Sequence, residues 1–210
     1  MLLFEGVRRG EALVNMTRVV RHSALDAASL SSAEVEGRRQ VDEILRFLVE
    51  RIDGFSGAYI AESGDYIGVR ESRHLQGAYT VTEADVVGSA AFDDSVAMCA
   101  FPIDIHDPAG KGLVCAQTGG GAGYDIPYRA MVPAKVQNLL VTGRCVSATH
   151  EAAASLRITP TAMALGEAAG IAAAQCARES RTVPAVDVAS VQESIRRHGG
   201  ICGRMDVEWI

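Results

Sequence analysis

A short apolar run, Leu139-Leu140-Val141-Thr142-Gly143, leads through a polar loop into a helix of small residues announced by Thr159-Pro160, and that order leaves few folds open. The run predicts a strand buried on both faces that stops at a glycine. Threonine before proline marks a helix start, because the hydroxyl caps free amides and a proline at the first helical position has no amide to satisfy. The helix is expected to run to about Ala177, with Gly166 and Gly170 one turn apart, so that another helix or a flat ligand can approach its backbone. Strand end, loop and helix N-terminus together form a setup for holding negative charge, since the free amides and the helix dipole point to one place. Any α/β crossover has the same form, so spacing alone leaves ligand binding and plain packing both open.

The remaining chain reads as further strands and helices around this piece. Residues 13–20 are rich in β-branched side chains and predict a strand. Ser31-Ser32-Ala33-Glu34 has capping-box spacing and predicts a helix over about 35–52, with Val41, Ile44, Leu45, Leu48 and Ile52 on one face. Residues 57–81 show short apolar runs divided by glycines, as in strands joined by turns. Thr82-Glu83-Ala84-Asp85 is a second helix start, residues 95–105 and 126–132 read as strands, and residues 119–123 as a flexible surface loop. A short last helix over about 187–198 ends at Gly199-Gly200. The fold class is α/β, of mixed α+β character, with a β-rich sheet facing a site.

With 210 residues and 48% hydrophobic content, the chain can bury a core of one or two domains. A net charge of -6 with dispersed Lys and Arg speaks against nucleic acid as a partner. The N-terminus lacks the pattern of a secretory leader and no stretch reaches membrane-spanning length, so a cytoplasmic protein that does not engage a membrane is expected. The five cysteines are widely spaced without a Cys-x-x-Cys pair, which argues against a disulfide framework or a zinc site.

Several local patterns carry chemistry, each with a plainer alternative. Gly119-Gly120-Gly121-Ala122-Gly123 is not a dinucleotide fingerprint, because no glycine falls at the sixth position and Pro127 follows where a helix should open. Arg70 and Arg73 flank Glu71 and could clamp an anionic substrate, or form a surface ion-pair cluster. Asp104 and His106 share one side of a strand, which suits a proton relay or a hydrogen-bonded strand end; a metal would need a third ligand that the sequence does not supply. Residues 143–157 concentrate polar groups between the apolar run and the small-residue helix. Ser147 and His150 within them have neither a Gly-x-Ser-x-Gly elbow nor an assignable acid, which disfavours a hydrolase.

Read together, Ala33-Glu34-Val35-Glu36-Gly37-Arg38, Ile67-Gly68-Val69-Arg70-Glu71-Ser72-Arg73, Pro102-Ile103-Asp104-Ile105-His106, Ile126-Pro127-Tyr128-Arg129 and residues 138–144 resemble the FAD-dependent oxidoreductase family, in its bacterial branch. The resemblance continues through Ser147-Ala148-Thr149-His150-Glu151 and Arg157-Ile158-Thr159-Pro160-Thr161 to Gly170, in order, over nearly the whole chain. It implies a relative of the glutathione-reductase-like flavoproteins with FAD as cofactor and an unidentified small molecule as substrate. Residues 134–210 would be the C-terminal portion of the three-layer FAD-binding domain, and residues 1–133 the substrate-facing portion. Gly143, Arg144, Ser147, Ser155, Arg157, Ile158, Thr159 and Thr161 would lie at the cofactor, with the helix from Pro160 aiming its amides at the flavin's pyrimidine edge. Arg70, Arg73, His106, Tyr128, Arg129 and His150 would orient substrate or move its proton. The family's N-terminal Rossmann βαβ unit, which grips the pyrophosphate, has no counterpart in these residues. Three expectations follow: a separate chain supplies that half, the reading frame is truncated, or the chain is a non-catalytic partner subunit that does not bind FAD alone.

Overall fold

The computed structural model describes residues 2–106 and 113–207, which divide into two compact units, Met1–Ser72 and Arg73–Ile210. In the first unit, β1 (Leu2–Glu5) pairs antiparallel with β2 (Ala12–Asn15), from Leu2 opposite Asn15 to Glu5 opposite Ala12. The Gly6 amide closes the turn on the Glu11 carbonyl at 2.8 Å, and a Cβ on Gly6 would come within 2.7 Å of the Glu11 Cβ. The strand expected over 13–20 ends at Asn15, because the backbone beyond it bonds to a side chain instead of a strand: Gln40 takes the Arg18 amide at 2.7 Å and its carbonyl at 2.9 Å.

Helix α1 (Ala27–Arg51) starts earlier than Ser31-Ser32 suggested. Asp26 caps it from an extended backbone, accepting the Ser29 amide at 2.7 Å, while the Ser31 hydroxyl lies inside the helix and donates to the Ala27 carbonyl. Leu48 is buried, Val41, Ile44 and Leu45 are half-buried on the expected face, and Ala33 and Gly37 are buried too. Residues 57–72 form no strand, because they fasten to α1: the Ile67 amide donates to Glu34 Oε1 at 2.8 Å and Arg38 donates to the Asp65 carbonyl at 3.3 Å.

Among its described residues the second unit holds two antiparallel ladders instead of one β-rich sheet. β3 (Ser95–Cys99) pairs with β6 (Tyr124–Pro127), and β4 (Ile103–His106) pairs with β5 (Leu113–Ala116). Pro102 stands in the break between β3 and β4, where a residue without an amide cannot extend a ladder. The strand expected over 126–132 is shifted to Tyr124–Pro127, after which the chain turns through a 3-10 segment.

Helix α2 (Glu83–Val87) begins at the expected start, where Thr82 and Asp85 form a capping box. Helices α3 (His150–Leu156) and α4 (Thr159–Glu179) follow one another, and α5 (Val188–Arg197) starts at its Asp187 cap. Leu165, Ala168 and Ala172 of α4 and Val191 and Ile195 of α5 join Val96, Ile126 and Leu156 in the core. Residues 119–123 are packed at both ends and not simply an open loop: a Cβ on Gly119 would meet the Val87 carbonyl at 2.5 Å, and one on Gly123 the Cys99 carbonyl at 2.9 Å. The whole is of mixed α+β character, and among the described residues no helix is long and apolar enough to cross a membrane.

Candidate functional site

The apolar run at 139–143 is not the doubly buried strand that its composition predicts. Leu139 is exposed, Leu140, Val141 and Thr142 are half-buried, and the Val141 amide ties the run to a neighbouring segment by donating to the Met131 carbonyl at 2.9 Å. Apolar side chains alone do not make a strand; both ladder partners are required. Gly143 then turns the chain with φ of 73°, a conformation that favours glycine.

From Cys145 to Thr149 the polar loop is held on two sides. Its backbone runs along residues 75–81, with Leu75 donating to the Cys145 carbonyl at 2.8 Å, Val81 to Ser147 at 3.0 Å and Thr149 to Val81 at 2.8 Å. On the other side Ser147 donates to the Ala130 carbonyl at 3.1 Å. Ser147 is fully buried; its Oγ accepts the Gly77 amide at 3.2 Å and pairs with Thr80 Oγ1 at 3.0 Å. A Cβ on Gly77 would stand 2.7 Å from that of Ser147, so this crossing needs a glycine. His74 Nδ1 lies 2.7 Å from the Ala148 carbonyl and completes the brace.

Thr149 caps α3 and accepts the Ala152 amide, and only Arg157 and Ile158 separate α3 from α4. The α4 cap is Ile158, one residue before the expected Thr159; Thr159 and Pro160 occupy the first two helical positions. No side chain caps this start, and the first intrahelical bond runs from the Ala162 amide to the Ile158 carbonyl at 3.0 Å, so the amides of Thr159 and Thr161 precede the ladder. Thr159 is exposed, Ile158 half-buried and Thr161 buried. Arg157 reaches back and donates to the Asp104 carbonyl in β4 at 3.4 Å.

Further along α4, Gly166 and Gly170 are exposed, and a Cβ on either would meet nothing within 4 Å. Gly170 lies on an open groove of about 700 Å³ lined also by Asn138, Leu140, Ala169, Ala173 and Cys176. The small-residue face read from the sequence is therefore uncovered where it borders this groove.

The remaining candidates separate. Arg70 is exposed in the first unit, and Arg73 is exposed in the second. His150 is exposed at the first position of α3, and Arg144 is exposed at the loop. His106 belongs to β4, and its side chain lies outside those described. Tyr128 is buried with its hydroxyl donated to the Val183 carbonyl at 3.0 Å, and burial pushes its ionisation well above the ordinary tyrosine range. Arg129 is ion-paired with Asp94 at 3.6 Å and sits over the rings of Tyr79, 5.0 Å away, and Phe92, 5.6 Å away.

Two residues without any motif support this region. Asp125 is buried and accepts the Phe92 amide at 3.2 Å and the Arg204 amide at 2.6 Å; burial is the largest influence on its carboxyl and raises it above the usual range. Tyr124 is fully buried with its hydroxyl 2.8 Å from Ser155 Oγ. They fall between the loop read over 119–123 and the strand read over 126–132, and neither pattern tells which polar atoms will be enclosed. Among the described residues no group of three or more His, Cys, Asp or Glu could hold a metal ion.

A family model described as FAD dependent oxidoreductase matches residues 3–195. No curated protein and no solved structure matches the chain.

Proposed function

The chain belongs to the FAD dependent oxidoreductase family, and we propose that it is the C-terminal portion of such an enzyme, akin to the glutathione-reductase-like flavoproteins, with its cofactor at the α3–α4 turn. The observation that carries the location is the uncapped start of α4, whose Thr159 and Thr161 amides precede the ladder of a helix against which residues 143–145 pack. These residues fit a flat group bearing negative charge. The helix end favours an anion, Gly143 turns the loop without a side chain, and the exposed small-residue face of α4 lets a planar surface approach.

In this reading the Thr159 and Thr161 amides hold developing negative charge, and Arg157, fixed on β4, adds a cation to the same neighbourhood. Arg144, exposed beside Gly143, holds polar atoms of the cofactor from the solvent side. The flavin, when bound, supplies the redox chemistry by taking or giving an electron pair. Arg73 and His150, both exposed, are candidates within this unit to orient a small-molecule substrate or move its proton. Ser147 and Ser155 support the site through the backbone that they brace.

A second reading, a subunit that works only with a partner chain, draws on the uncovered face of α4 and on Met163, which is 70% exposed on that helix. One titration separates the two. Purified chain is mixed with increasing FAD while the flavin absorbance that co-purifies with protein is followed. Stoichiometric binding supports an autonomous site; no binding at high FAD removes autonomous oxidoreductase activity and favours the partner-chain reading.

A further inference from the structure

Tyr124 enters from β6 and contributes one of the largest side chains of the core, fully buried. Phenylalanine would fill almost the same volume, so the hydroxyl must be accounted for separately: a buried hydroxyl costs free energy unless it is bonded. Its partner is Ser155 Oγ at 2.8 Å, and Ser155 in turn donates to the Phe101 carbonyl at 2.5 Å. Because the single serine proton is engaged there, the tyrosine is the donor of the pair. Cys99 Sγ lies 3.7 Å from both the Ser155 carbonyl and its hydroxyl, so the serine is enclosed from the β3–β6 ladder as well.

The position of Ser155 gives this network its consequence. It is the penultimate residue of α3, two residues before Arg157 and three before the Ile158 cap of α4. Ser155 holds the chain ahead of β4 at Phe101, and Arg157 holds β4 itself at Asp104. The α3–α4 turn is thus fastened at two points on one side, and the Tyr124 hydroxyl ties it to the ladder on the other. With only Arg157 and Ile158 between the helices, a shift of Ser155 passes directly to the first turn of α4.

We propose that Tyr124 is a positioning residue, acting through Ser155 to hold Arg157 and the first amides of α4 in the arrangement that the cofactor site requires. The proposal rests on the functional reading given above for the site itself, while the geometry that it describes is a property of the chain alone.

The test uses the full chain and the variants Tyr124→Phe, Ser155→Ala and their combination, compared by amide hydrogen exchange without FAD and by FAD titration. Loss of one buried hydrogen bond corresponds to roughly a five- to tenfold easier local opening. Exchange at Arg157 and Ala162, whose amides are bonded to the Ala153 and Ile158 carbonyls, is expected to accelerate by about that factor in Tyr124→Phe, while Ala97 and Ile126 in the ladder change less than about twofold. The double variant should add little to Ser155→Ala, since both remove the same link. With FAD, Tyr124→Phe should weaken binding by roughly fivefold and shift the visible spectrum of the bound flavin. Equal acceleration in ladder and turn, or none in either, overturns the proposal. If the unmodified chain binds no FAD, the autonomous cofactor site fails on that result alone, and the exchange pattern still decides whether Tyr124 holds the turn.

Discussion

Replacing Arg129 by alanine distinguishes a residue that faces a ligand from one that holds the fold. Its guanidinium lies over Tyr79 at 5.0 Å and Phe92 at 5.6 Å, and those two rings meet edge to face with centroids 5.2 Å apart. The backbone around it is joined to the same pieces: the Tyr79 amide donates to the Arg129 carbonyl at 3.2 Å and the Arg129 amide to Asp94 Oδ2 at 3.3 Å. A partly exposed cation over a ring contributes about 0.5–1 kcal/mol. The ion pair with Asp94 adds less than about 1 kcal/mol, because the arginine side chain is 47% exposed and water screens the pair. Arg129→Ala should therefore cost about 2 kcal/mol, which for a chain of this size lowers the unfolding midpoint by roughly 4–8 °C. Arg129→Lys keeps the charge but not the planar fork and should lose about half as much.

Near-UV circular dichroism of tyrosine on heating reports this loss where it occurs. Tyr59 and Tyr66 are 80% and 83% exposed and contribute little, so the signal comes mainly from Tyr79, Tyr124 and Tyr128. A second readout is the Tyr79 phenol. Burial first, and then its bond to the Asp85 carboxylate, raise its ionisation above the usual range, while Arg129 opposes them. Losing the guanidinium should push that ionisation higher still. An Arg129→Ala midpoint within about 1 °C of the unmodified chain, below the size argued from the stacked rings, would refute the structural role. If such a variant also lost substrate or flavin binding, Arg129 would have to be a ligand-facing group.

Two further predictions follow from the chemistry of single residues. With a water-soluble alkylating reagent at mild pH, Cys115 and Cys145 should label first, since both are exposed, while Cys99, Cys176 and Cys202 should label only as the fold opens; burial pushes the Cys202 thiol up to about 11 in the native chain, so its rapid labelling there would contradict the docking of residues 200–207. The Glu36 carboxyl is held down to about 2, chiefly by its hydrogen bond from Arg39 and then by Gln40, so its support of α1 is fully present above the ordinary carboxylate range and is lost progressively as pH falls from there through about 2; a midpoint near 4.5 by carboxylate NMR would show that this cluster does not form.

Much of the helical structure was legible in the residues themselves. The apolar spacing of α1, the Thr82-Glu83-Ala84-Asp85 start of α2, the small-residue character of α4 and the Gly199-Gly200 end of α5 each act within one or two turns of backbone, so neighbouring residues suffice to specify them. Helix starts were less secure, because several residues offer the same capping chemistry. Ser31 could accept an amide as well as Asp26 does, and the backbone becomes extended only at Asp26.

The candidate site was legible as a location and not as an arrangement. The polar loop, the Thr159-Pro160 helix start and the glycines of α4 are all sequence features, and in the folded chain residues 143–145 of the loop pack against α4. What each polar atom does there depends on partners far away along the chain. Ser147 is engaged by Gly77 and Thr80, Ser155 by Phe101 and Tyr124, and Arg157 by Asp104.

What the residue order determined by itself was the set of amphipathic and small-residue helices, the turn at Gly143 and the likeness to one family over most of its length. Tertiary structure alone decided that residues 139–143 do not form a doubly buried strand, that residues 95–105 break into two ladders at Pro102, and that Tyr124 and Asp125 become buried anchors. The physical reason is common to all three. A helix satisfies its backbone from within four residues, whereas a strand or a buried polar group must find its hydrogen-bond partner in a distant segment, and only the assembled chain determines whether that partner is there.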